Sequence, residues 1–153
     1  MSDADLLVDF LNTLDVEDSL DVLDADQPWA DWLAAHDLPL PAGRLRGHRA
    51  RARALRDDLR AVAAGEEPPP RELPLTLTLG PQPRLGGADA LQVVLGAVAR
   101  LGVREELGRV KICPADDCRW AFHDASRNGS RQWCSMAVCG NRAKARAHRA
   151  RQA

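Results

Sequence analysis

Four cysteines, Cys113, Cys118, Cys134 and Cys139, fall within the last 41 residues of a 153-residue chain, spaced C-x4-C-x15-C-x4-C. Thiolates are soft, strong donors, and two short-spaced pairs joined by a longer loop can close a tetrahedron around one zinc ion. Free thiols, two disulfides and a redox pair are the competing readings. The x4 spacing is not the C-x-x-C of thiol oxidoreductases. The first twenty residues are acidic and lack the basic start and apolar stretch of a secretory signal, so the expected compartment is the cytoplasm. There, closely spaced cysteines suggest metal before disulfide. Four thiolates leave no open position for water, so the expected zinc is structural rather than catalytic.

The elements that must position these ligands are legible around them. Pro114–Asp117 is a turn sequence, with Val110–Ile112 before it and Trp120–Phe122 after, which predicts a hairpin whose tip carries Cys113 and Cys118. Cys134 and Cys139 lead into Gly140–Gln152, an Ala- and Arg-rich run of high helix propensity. A hairpin knuckle followed by a ligand at a helix start is the treble-clef arrangement. Between the pairs, Ser126–Arg131 is a polar loop carrying Arg127 and Arg131. A module of this size buries too little to fold unaided, so the metal is required for its structure.

Charge is segregated along the chain. Residues 1–43 hold eleven acidic side chains and no Lys or Arg, and residues 44–108 hold eleven basic and eight acidic ones. Residues 109–153 hold ten basic and three acidic ones, so the net charge of −1 conceals a basic C-terminal module. On the terminal helix, Arg142, Arg146 and Arg149 share one face, with Lys144 and Arg151 opposite and alanines between. Like charges at (i, i+4) destabilise a helix that lacks an anionic partner, and this favours a polyanion as that partner.

The first 107 residues predict a small α+β domain of mostly helical mass. Leu6, Leu7, Phe10, Leu11 and Leu14 recur at helical spacing. Asp24 or Asp26 is suited to cap a second helix, with Pro28 in its first turn and Trp29, Trp32 and Leu33 facing the core. Residues 45–64 read as a third helix with Leu55, Leu59 and Val62 inward. Its arginines (Arg44, Arg46, Arg49, Arg51, Arg53, Arg56, Arg60) are expected on a solvated outer face. Alternating leucines over Leu73–Leu79 predict a half-buried strand turned by Gly80-Pro81 towards Arg84-Leu85, and Ala88–Leu101 predicts a helix stopped by Gly102. No apolar run is long enough to span a membrane.

The stretch Val110–Arg151 closely resembles the CGNR zinc-finger family. The resemblance is carried by Phe122-His123-Asp124-Ala125-Ser126-Arg127-Asn128, Ser130-Arg131-Gln132-Trp133-Cys134-Ser135-Met136 and Cys139-Gly140-Asn141-Arg142-Ala143-Lys144. Leu6–Thr13 (LLVDFLNT) looks like the start of the ABATE domain that typically precedes such a finger. The resemblance implies residues 1–107 as an ABATE-like domain and 108–153 as the finger. It implies a bacterial transcription regulator linked to stress response, not an enzyme, that binds DNA or RNA, with a homodimer as one form and an effector still to be named. The expected nucleic-acid contacts are Arg127, Arg131, Lys144, Arg146, Arg149 and Arg151. Asp124, Asn141 and Arg142 are expected to support the finger, with Asp124 pinning the loop to the helix and Asn141 bonding backbone near the metal. Two readings compete. In one, the basic helix docks on the acidic first third, as an interaction module or as a mask over the helix. In the other, His123, Asn128 and His148 form a metal-dependent nuclease site of the HNH type.

Overall fold

The computed structural model describes every residue except Ala42, Arg44, Ala88 and Ala153, and two of the sequence readings therefore fall partly outside the described residues: Arg44 of the arginine stripe and Ala88 at the start of the fourth helix. Helix α1 spans Asp3–Leu11 and opens on a capping box, in which Ser2 Oγ accepts from the Asp5 amide and the Asp5 carboxylate accepts from the Ser2 amide, both at 3.1 Å. It ends before Leu14, which the apolar spacing had assigned to it. Thr13 Oγ1 bonds back to Phe10 O, and Leu14–Asp15 (β1) pairs antiparallel with Leu20–Asp21 (β2). A 3-10 turn at Val22–Asp24 then leads into α2, Asp26–Ala35. Neither Asp24 nor Asp26 caps α2: its N-cap position is Ala25, and both carboxylates turn instead to arginines of the next helix.

Helix α3, Leu45–Ala63, is where the sequence reading is most changed. Arg49, Arg53, Arg56 and Arg60 lie at i, i+4, i+7 and i+11, one stripe of the helix, and that stripe faces protein rather than water. Arg56 is 2% exposed and grips Asp21 through two bonds of 2.6 and 3.0 Å. Arg53 reaches Asp24 and Leu23 O, and Arg49 reaches Asp26 and Leu23 O. Arg60, also buried, has no carboxylate and donates to two carbonyls, Leu11 O at 2.8 Å and Arg119 O at 2.7 Å. Burial, with the charges of Arg56 and Arg119 nearby, lowers its pKa. The acidic segment that sequence reading set apart from the basic one is thus its partner. Val62 is exposed, whereas Leu55 joins the core. Gly65, at φ +81°, stops the helix in a conformation that costs glycine nothing.

Only Leu77–Thr78 (β3) of the alternating leucine stretch is a strand, paired with Arg84–Leu85 (β4). Leu73, Leu77 and Leu79 are exposed, because the hairpin packs no second layer over that face. Helix α4 runs Ala90–Val103, straight through Gly102, with Asp89 capping it at the Leu91 amide. The α1–α4 pair is the most extensive packing of the fold, and the core gathers Leu7, Phe10, Leu11, Trp29, Leu33, Val94, Ala97 and Leu101. Trp29 stacks on Trp32 at 5.0 Å and donates its indole N–H to His48 Nδ1 at 3.0 Å. Because an indole only donates, His48 carries its proton on Nε2 and donates to Asp89 at 3.1 Å. The chain then forms a hairpin of Val110–Ile112 (β5) and Ala121–His123 (β6), and its last element is α5, Asn141–Ala150. The fold is α+β: five helices and three two-stranded antiparallel hairpins among the described residues.

Candidate metal centre and basic helix

The hairpin β5–β6 serves two structures at once. Val110, Ile112 and Ala121 belong to the main core, while the connection between the strands builds the metal knuckle. Asn12, one residue past α1, fixes this hairpin as a third strand would: its Oδ1 accepts from the Ala121 amide at 2.7 Å and its Nδ2 donates to Ala121 O at 3.0 Å. The Arg60 bond to Arg119 O holds the exit of the same knuckle. Sequence reading gave Asn12 no role and set Arg60 on a solvated helix face, so the part each plays in holding the knuckle escaped it. A polar residue closing the LLVDFLNT run was the signal available for the first, and none existed for the second.

The Cys113 amide donates to Trp120 O, and those of Cys118 and Arg119 donate to Ala115 O, so the Pro114–Asp117 turn closes tightly. Arg119 adopts φ +54°, the bend that returns the chain into β6. On the other side, Ser135 Oγ accepts from the Val138 amide and starts one π-helical turn, Met136–Gly140, that carries Cys139. Gly140 is buried beneath Met136: a Cβ there would lie 2.5 Å from its sulfur. Asn141 Nδ2 donates to Ala137 O and ties the same turn to α5.

Between them these turns bring the four sulfurs within 4.8 Å of one another. Sγ of Cys134 lies 3.5 Å from that of Cys118 and 3.7 Å from that of Cys139. With Zn–S bonds of about 2.3 Å, a tetrahedron has S···S edges of roughly 3.8 Å, so the donor set fits. No disulfide joins them, and Cys113, Cys118 and Cys139 are buried. Burial together with the neighbouring sulfurs pushes the Cys134 thiol far above its usual range and that of Cys139 up to about 11. Burial also opposes ionisation of Cys113, but N–H groups of Cys134 and Ala115 outweigh it and lower that pKa. As thiolates, four sulfurs this close repel one another, and a cation among them relieves that repulsion. The four cysteines form the site for one zinc ion.

Residues 109–152 match the family model of the CGNR zinc finger. No curated protein matches the chain. The match begins one residue before β5 and takes in the hairpin, the four cysteines and α5, including a loop organised by one buried carboxylate. Asp124 is fully buried and accepts from Lys111 Nζ at 2.7 Å, Ser126 Oγ at 2.5 Å, Ser126 N at 3.0 Å and Arg131 N at 2.9 Å. The Lys111 ammonium, the Ser126 hydroxyl and the two amides hold its pKa well below the usual carboxylate range. Lys111 also donates to Gly129 O and Arg131 O. Asp124 therefore pins the loop to β5. The anticipated link to the helix through Arg142 is not made: that guanidinium turns to Glu17 and Asp117.

The six cations anticipated as nucleic-acid contacts divide. Arg131 is exposed but folded back along the finger, stacked 4.7 Å over Phe122 and donating to the carbonyls of Trp133 and Cys134. Arg127 stands exposed on the loop, Lys144, Arg146 and Arg149 stand exposed on α5, which has no buried residue, and Arg151 is exposed at its C-cap. Among the described residues these five make no ion pair, in contrast to Arg142. The cysteines are the sole cluster of metal-ligating side chains found there. His123 lies in β6, and His148 near the end of α5 bonds Gln152.

Proposed function

We propose that this chain is a DNA-binding transcription regulator, in which zinc fixes the root of α5 and the exposed cations of α5 and the Asp124 loop contact phosphates. On this reading the protein is not an enzyme, it works in the cytoplasm, and residues 1–107 form an ABATE-type domain whose effector is unidentified. Among the described residues, no helix is long and apolar enough to cross a membrane.

The observation that carries the proposal is the state of α5. It presents Lys144, Arg146, Arg149 and Arg151 to solvent without one carboxylate between them, on a helix made slender by alanines. Repulsion of Arg146 with Arg142 at (i, i+4) and with Arg149 at (i, i+3) costs roughly 0.2–0.5 kcal/mol per pair, and an isolated helix of about ten residues is marginal in water. A polyanion relieves the first cost and stabilises the helix against the second. Thin cationic helices of this kind approach phosphates and groove edges closely.

The test is titration of the full, zinc-loaded chain into duplex DNA at several salt concentrations. Binding whose logarithm falls with log salt at about −0.9 per phosphate neutralised is the expected result. Replacing Arg146, Arg149 and Arg151 together by alanine should weaken binding and flatten that slope. Failure to bind at low salt, or identical titrations for the two proteins, would end the proposal.

A further inference from the structure

The foot of α5 is held differently from the rest of its length. Arg142, in the first turn, directs Nη1 and Nη2 at the same oxygen, Glu17 Oε1, each at 3.3 Å. Its Nη1 also lies 3.7 Å from Asp117 Oδ2. The two acids come from separate places. Glu17 belongs to the turn between β1 and β2, which also carries Asp18 and follows Asp15, the last residue of β1. Asp117 belongs to the knuckle between Cys113 and Cys118. Two acidic oxygens thus converge on one guanidinium. A phosphodiester presents two such oxygens, and Arg is suited to bind them.

Arg142 is also the first member of a row. Arg146 and Arg149 follow on the same face at i+4 and i+7, rising about 6 Å and then about 4.5 Å along the axis. Among the described residues the later members are unpaired, and only the first is covered. The cover is weak: side-chain exposures of 43% for Arg142, 52% for Glu17 and 56% for Asp117 leave the contact open to water and ions. Exposed pairs of this kind exchange partners readily.

We infer that Arg142 is a phosphate subsite at the foot of the basic helix, and that the Glu17 carboxylate occupies it in the free chain. This rests on the nucleic-acid reading above and adds a residue to it, because the row then begins at Arg142 rather than Arg146. It also gives the acidic β1–β2 turn a role. A bound strand displaces Glu17, so affinity depends on a segment 125 residues away in sequence. Asp18 of that turn and Asp15 at the end of β1 add repulsion that acts within about one Debye length, roughly 8–10 Å at ordinary salt.

The experiment measures binding of a fluorescent 20-base-pair duplex to the zinc-loaded full chain by anisotropy, across salt, for the parent, Glu17→Gln, Arg142→Gln and the double variant. Glu17→Gln should tighten binding about three- to tenfold at low salt and steepen the slope by up to about 0.9, one phosphate. In the Arg142→Gln background the same change should do nothing. Parent and Glu17→Gln titrations that coincide within twofold would remove the subsite while leaving the nucleic-acid reading intact. An equal gain with and without Arg142 would remove it too, since the effect would then be general charge. If no protein in the set binds at low salt, both readings fall.

Discussion

Helices α3 and α5 carry arginines at the same spacing and have opposite fates. Arg49, Arg53 and Arg56 in the first, and Arg142, Arg146 and Arg149 in the second, each occupy i, i+4 and i+7 with alanines among them. In α3 the stripe is drawn against Asp21, Asp24 and Asp26 and ends on the buried Arg60. In α5 everything past Arg142 is left to solvent. Neither the arginines nor their spacing distinguishes the two. What differs is the rest of each helix: α3 has Ala52 and Leu55 to bury and is carried into the core, where acids from β2, the 3-10 turn and α2 already stand. With no large apolar side chain, α5 has nothing to bury, and past Arg142 it reaches no acid among the described residues. An arginine stripe becomes structural or available according to what its helix packs against.

That contrast can be broken in graded ways. The largest effect should come from removing zinc by chelation, or from Cys134→Ser, because structural zinc contributes on the order of 10–16 kcal/mol to small modules. Hydrogen exchange should then show the loop and α5 losing protection, while α1, α3, α4 and the core-packed β5 keep it. Loss of protection throughout would mean that α3 depends on the metal as α5 does. Next in size is Asp21→Ala, which leaves the buried Arg56 with only the exposed Asp57 as a carboxylate partner. Loss of one partner from a buried pair costs about 3–5 kcal/mol, to be read as a shift in denaturant midpoint.

Acid should separate the two regions by pH. Asp3, Asp21, Asp89 and Asp124 all have folded pKa values held below their unfolded ones. Their stabilisation is therefore complete above the ordinary aspartate range of about 4 and is lost only as pH falls through the folded values. Protons compete for thiolates at higher pH than for carboxylates, so zinc should leave before the α3 region unfolds. A zinc indicator and tryptophan fluorescence followed together should show two transitions, and one joint transition would contradict this order.

Smaller again is Asn12→Ala, which removes both bonds to Ala121 and costs about 1–3 kcal/mol, visible as faster exchange of the Ala121 amide. Smallest is the Arg146, Arg149 and Arg151 triple alanine. On stability it should be silent within about 0.5 kcal/mol, since these side chains hold nothing in the free chain. A clear loss of stability would show that α5 resembles α3 after all.

The metal ligands were legible in the sequence because the chemistry is local. Four thiols at x4, x15 and x4 leave few geometries open, and the turn and hairpin that hold Cys113 and Cys118 are encoded by Pro114–Asp117 and its flanks. The helices α1 to α4 were legible from apolar period, with boundaries off by the few residues where side chains such as Thr13 bond back to the chain. Tertiary structure alone decided which charges meet. Asp21 finds Arg56 across 35 residues, Glu17 finds Arg142 across 125, and Asp124 chooses Lys111 over the helix it was expected to hold. Periodicity states which side of a helix is apolar, but a long charged side chain takes its partner from whatever the fold brings within about 4 Å. The four cysteines carry their own geometry, whereas each arginine acquired its role only once the chain had closed around it.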